Sequence, residues 1–120
     1  MSLNEIINEA ISTTSGALFA GVISTDGLGV EMVFTESDDH LDLELADLEL
    51  SNLAAAAAAA SERIGSGQLL DLMLETEDVT YLTSAITPGY YALMGVDPDA
   101  SLGNARFAVR HMVSRIKKEL

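Results

Sequence analysis

Residues 52–67 read NLAAAAAAASERIGSG, and the seven alanines in a row decide how the rest of the chain is divided. Alanine has the highest intrinsic helix propensity, and Gly65 and Gly67 supply a stop, so this stretch is a helix. Within it Leu50, Leu53, Ala57, Ala60 and Ile64 step by three and four, a stripe expected to pack on a sheet. Ala54, Ala55, Ala58 and Ala59 then fall on the flanks and the outward side. No charged residue stands between Asn52 and Ser61 on any face, although the chain is otherwise strongly acidic. A helix turned to solvent ordinarily carries charge, and small side chains let a second helix approach to the short end of the usual ~8–10 Å range. The expectation is a helix-to-helix interface.

On the N-terminal side, Leu3, Ile6, Ile7, Ala10 and Ile11 recur at helical spacing opposite Glu5, Asn8 and Glu9, predicting a short amphipathic helix that ends near Ser15 and Gly16. GALFAGVIS (16–24) is apolar without alternation, as in a strand covered on both faces. Asp26 and Gly27 make a turn, and VEMVFTE (30–36) returns with Val30, Met32 and Phe34 on one face. Residues 36–49 hold seven acids and neither Lys nor Arg, and are read as a solvated connection running into the alanine helix.

On the C-terminal side, QLLDLMLET (68–76) reads as a strand with Leu70, Leu72 and Leu74 on one face, followed by VTYLTSAI (79–86). TPGY (87–90) matches a type II turn, with Pro88 and Gly89 at its centre, so YYALMGV (90–96) is a fifth, antiparallel strand. Ser101 is the expected N-cap of a closing helix whose apolar stripe is Leu102, Ala105, Val109, Met112, Val113, Ile116 and Leu120. The order is α-β-β-α-β-β-β-α. It predicts an α+β fold, a three-layer α/β/α sandwich around a five-stranded antiparallel sheet, in a single domain spanning residues 1–120.

Composition limits the function. The net charge of −13 arises from 19 acids against six Lys and Arg, five of which (Arg106, Arg110, Arg115, Lys117, Lys118) lie in the last fifteen positions. Such a surface repels nucleic acid and anionic membrane, so neither is an expected partner. There is no signal-peptide pattern, the longest apolar run is far short of the ~18 residues of a membrane span, and there is no cysteine; a soluble cytoplasmic protein is expected.

Catalytic chemistry finds little purchase. The first lysine is Lys117, which excludes a Walker-type phosphate loop, and GSGQLL (65–70) follows a helix where a dinucleotide fingerprint would follow a strand. ESDDHLDLE (36–44) gathers Glu36, Asp38, Asp39, His40, Asp42 and Glu44, but one histidine and no glycine fit neither a zinc site nor a calcium loop. His40 and His111 are the only histidines, and no GxSxG turn exists. No catalytic residue, metal site or cofactor is expected, and the chain is read as a non-enzyme.

GALFAGVISTDGLGV, LAAAAAAASERIGSG running into QLLDLMLE, YLTSAITPGYYALMGV and SLGNARFAVRHMVSRI together resemble the roadblock family of dynein-light-chain-related proteins, of the stand-alone bacterial and archaeal type. The resemblance covers nearly the whole chain and implies a roadblock, profilin-like fold. It further implies homodimerisation through the second helix and the strand after it, and a platform of paired helices that binds a Ras-like small GTPase as scaffold, partner or activating protein. Carried onto this sequence, the interface residues are Leu53, Ala54, Ala55, Ala58, Ser61, Glu62, Leu70 and Leu72. The alternative is a small-molecule sensor of similar three-layer fold, for which Tyr81, Tyr90 and Tyr91 are the polar candidates.

Overall fold

The computed structural model describes residues 1–26, 29–35 and 42–119. Eight elements follow in the expected order: α1 (Leu3–Ser12), β1 (Ala17–Ser24), β2 (Gly29–Phe34), α2 (Leu43–Ile64), β3 (Asp71–Glu75), β4 (Thr80–Thr87), β5 (Tyr90–Val96) and α3 (Leu102–Glu119). Each helix begins where a side chain can satisfy a free amide. Ser2 and Glu5 form a reciprocal capping box on α1, Asp42 accepts from the Leu45 amide at 3.0 Å, and Ser101 accepts from the Asn104 amide at 3.2 Å. Helix α2 stops at Gly65, whose φ of 87° lies in the left-handed region open to glycine.

The five strands form one antiparallel sheet in the order β2-β1-β5-β4-β3. The turn between β4 and β5 has Gly89 at φ 87°, as the type II reading requires. Alternation along the central strands sorts side chains between two faces. Ala20, Val22, Ala92, Met94 and Val96 join α1 and α3 in the larger core, with Ile6, Ile7, Val109 and Met112. Phe19, Ile23, Tyr91 and Leu93 face the other way and meet Leu50 and Ala54 of α2. The sheet therefore has two helices on one side and a single one on the other.

Two expectations are corrected here. Val30 does not share a face with Met32 and Phe34: the pairing passes from Val22 with Glu31 to Ile23 with Gly29, leaving Val30 as the extra residue of a bulge. It turns toward the groove beside Leu3 and Ile6, while Met32 packs on the α2 side. The acidic segment is also less of a connection than expected. Helix α2 takes in residues 43–49, because Asp42 caps it and Leu45 and Leu48 continue the helical register. Residues 36–41, with Glu36, Asp38, Asp39 and His40, lie outside the described residues, as do Gly27 and Leu120.

Candidate functional site

Helix α2 has 22 residues and spans roughly 33 Å, yet among its described side chains only Leu50, Ser51 and Ala54 are buried. The stripe expected to face the sheet is rotated away from it. Leu50 is inside, but Leu53 is exposed and Ile64 is 79% exposed. The row that meets the sheet is Asp47, Leu50, Ser51 and Ala54. The phase was hidden because a run of identical alanines has no apolar side to orient it. The layer beneath holds Phe19, Tyr91 and Leu93, and Ala54 and Ser51 are the small side chains of α2 buried on that side. Ala54, expected at the interface, is 1% exposed and belongs to this core, so it cannot touch a partner.

The docking of α2 carries a polar defect. Asp47 Oδ1 and Ser51 Oγ are buried with no hydrogen-bond partner. Burial pushes the Asp47 carboxyl above the usual carboxylate range, and the nearby Ser51 hydroxyl offsets part of that shift without closing a hydrogen bond of good geometry. A buried polar group left unmade costs about 1–3 kcal/mol.

Beside α2 lies the exposed edge of the sheet. β3 is the last strand, paired to β4 on one side only. Leu72 and Leu74 lie across from Thr83 and Tyr81 on the α2 side, and Asp71 and Met73 point to the α3 side. Leu70, just before the strand, is 70% exposed, with its carbonyl accepting from the Ala85 amide at 2.8 Å. Asp71 is fixed by the Ser84 hydroxyl at 2.7 Å and the Arg110 guanidinium at 2.5 Å, with Arg106 at 3.7 Å. An unpaired edge flanked by exposed apolar side chains is a template for another strand.

Of the expected interface residues, Ala55, Ala58, Glu62 and Leu70 come together along a groove of about 650 Å³ between the second half of α2 and the β4–β5 turn. Ser61 donates its hydroxyl to the Ala58 carbonyl at 3.0 Å, and Leu53 stands on the opposite flank in a ridge with Ala56, Ala60 and Ile64. Sequence reasoning passed over Ile64 as an exposed side chain, and over Leu45 and Leu48, whose i, i+3 spacing inside the acidic segment was their only signal. The three tyrosines do not converge. Tyr81 and Tyr91 pack on the α2 side, where burial raises both phenols, whereas Tyr90 is exposed beside Met1 and Leu3. Among the described residues no three His, Asp or Glu side chains gather as metal ligands, and His111 packs its ring against Phe107.

A five-stranded antiparallel sheet with α1 and α3 on one face and α2 on the other defines an α+β, three-layer class of small domain. Within that class, the chain belongs to the Roadblock/LC7 family, whose model matches residues 3–95. MglC from Myxococcus xanthus is similar over 100% of both chains at 24% identity, with a TM-score of 0.72. The gliding protein MglB from Thermus thermophilus is similar over 98% of this chain and 90% of its own, at 18% identity and a TM-score of 0.83. Profilin II of Acanthamoeba castellanii shares the fold more distantly, over 98% of each chain at 14% identity and a TM-score of 0.62. No curated protein matches the chain. Among the described residues, no helix is long and apolar enough to cross a membrane.

Proposed function

We propose that this chain is a non-catalytic, homodimeric interaction module of the cytoplasm that binds and regulates or scaffolds a Ras-like small GTPase. The observation that carries the reading is the ridge Leu53, Ala56, Ala60 and Ile64, an apolar stripe on a helix that is uncharged from Asn52 to Ser61, which the chain's own sheet leaves uncovered. In the proposed dimer, α2 of a second copy lies antiparallel against this ridge. Leu53 and Ile64 supply the large side chains, Ser61 borders the crossing, and Ala55, Ala58 and Glu62 line the groove on the other flank of the helix. Leu70 and Leu72 follow on the strand side, where the free edge of β3 takes the partner's β3. The contact is isologous, so one patch serves both copies.

The paired helices then form the surface for the GTPase, a partner class implied by the family resemblance. Such a module acts by binding one state of the GTPase's switch regions better than the other. It shifts a population, and the chemistry remains in the partner.

The test is light scattering over a dilution series, repeated after adding small GTPases encoded beside this gene, loaded with GDP or a GTP analogue. A dimer that gains mass with one nucleotide state supports the reading. A protein that stays monomeric at all concentrations, or a dimer indifferent to every GTPase and nucleotide, overturns the corresponding half of it.

A further inference from the structure

The side of the sheet opposite α2 carries a surface of different chemistry. Five of the six Lys and Arg residues lie on α3. Its outward row is Phe107, Arg110, His111, Ser114 and Lys118, at spacings of three and four, and no acid interrupts it. Phe107 is 72% exposed, its ring 6.0 Å from that of His111. A groove of about 480 Å³ runs alongside, between α3 and α1, floored by Ile6, Ala10 and Met112. Arg106 and Arg110 share the single carboxylate of Asp71, so one guanidinium charge stays uncompensated there. An exposed aromatic ring set among cations, on a molecule of net charge −13, is a docking surface for an acidic segment that also carries apolar side chains.

The chain itself contains a surface of that description. The first half of α2 exposes Leu45 and Leu48 between Asp42, Glu44 and Glu49, with no basic residue until Arg63. It cannot meet α3 within one molecule, because the sheet lies between them. Leu45 and Leu48 also lie roughly 20 and 15 Å along the helix axis from Ala58, before the ridge that begins at Leu53. We propose that the outer face of α3 docks the acidic, leucine-bearing first half of α2 from another copy of this chain. Phe107 seats against Leu45 and Leu48, while the spare positive charge of the Arg106 and Arg110 pair, and Lys118, face Glu44 and Glu49. The two patches differ, so the contact is heterologous and adds copies one after another, where the α2 dimer closes at two. At about 0.15 M salt the general repulsion between acidic molecules is screened beyond ~8 Å, whereas pairs in contact still attract.

Sedimentation velocity on the full chain tests this at about 0.15 M and about 1 M salt, where the screening length falls to ~3 Å. The expected result is a mass that keeps rising with concentration beyond a dimer at the lower salt and falls back at the higher. Phe107→Ser, at an exposed position that leaves the core intact, weakens the growth about tenfold, as loss of a central aromatic anchor should. Glu49→Lys and Lys118→Glu each weaken it alone, and an equal mixture of the two recovers association. A mass that stays constant above the dimer, or growth unchanged by Phe107→Ser, overturns docking between copies and leaves the α3 face to an acidic partner of another kind. Ala56→Glu separates the two interfaces, since it opens the proposed α2 pairing and spares the α3 contact.

Discussion

Asp71, on the outermost strand, and Arg110, on α3, meet at 2.5 Å across 39 residues of sequence. The pair pins the free edge of the sheet to the basic helix. Burial alone would raise the Asp71 carboxyl, but the Ser84 hydroxyl and the Arg110 guanidinium outweigh it and hold the group below the usual carboxylate range.

Because the folded pKa of Asp71 lies below the unfolded one, its stabilisation is complete above the unfolded value of about 3.9 and is lost as pH falls through the folded one. Asp71→Asn is expected to cost about 1 kcal/mol at pH 7, after allowance for screening of a pair that is partly in solvent. Urea unfolding at a series of pH values checks it: the gap between the two proteins closes below about pH 4. A gap that persists there would mean the ion pair is not its source.

Asp47 has the opposite sign. Its folded pKa is raised, so in the interval between the unfolded and folded values the native state holds the proton more firmly, and the ionised carboxylate costs stability at neutral pH. Asp47→Ala is expected to stabilise the chain by about 1 kcal/mol at pH 7, by removing a buried oxygen with no partner and adding a better helix former. The gain shrinks as pH falls toward 4. Thermal melts at pH 7 and pH 4 measure both, and a loss of stability at pH 7 would show that Asp47 is satisfied in solution.

The ring of Phe19 lies over Gly95, its partner across the β1–β5 ladder, at the place a side chain on residue 95 would occupy. Gly95→Ala is expected to cost about 1–3 kcal/mol by overpacking. Phe19→Leu in the same chain returns part of that loss, because the two changes share one space. A double-mutant cycle by chemical denaturation reads the coupling; strictly additive costs would contradict the contact.

Ala56 stands on the exposed ridge of α2. Glutamate has nearly the helix propensity of alanine, so Ala56→Glu should leave the melting temperature of the monomer unchanged. In the proposed dimer it places an unpaired charge in an apolar seam and raises the dissociation constant about tenfold or more, equivalent to ~1.4 kcal/mol. Light scattering across a dilution series reports it. An unchanged constant would move the interface off this ridge.

Most of the fold was legible because its signals are local. The cap at Ser101, the stop at Gly65 and the turn at Pro88 and Gly89 each depend on residues a few positions apart, and all three stand where the chain marks them. The closing stripe from Ala105 to Ile116 is legible for the same reason, since large apolar side chains at helical spacing have one sheltered side. The bulge at Val30 has no comparable mark. It is settled by the register against β1, which nothing in VEMVFTE encodes.

The candidate site divides in the same way. The sequence by itself determined that α2 is a helix, that it is uncharged through its alanine run, and that five of the six Lys and Arg side chains belong to the last helix, because composition and propensity are properties of residues taken in order. Only the tertiary structure decided which side of α2 faces inward, since alanines are alike to a helix and unlike only to the layer they meet. The rings of Phe19 and Tyr91 admit Ala54 and Ser51, and that choice turns Leu53 and Ile64 out to where a partner can reach them.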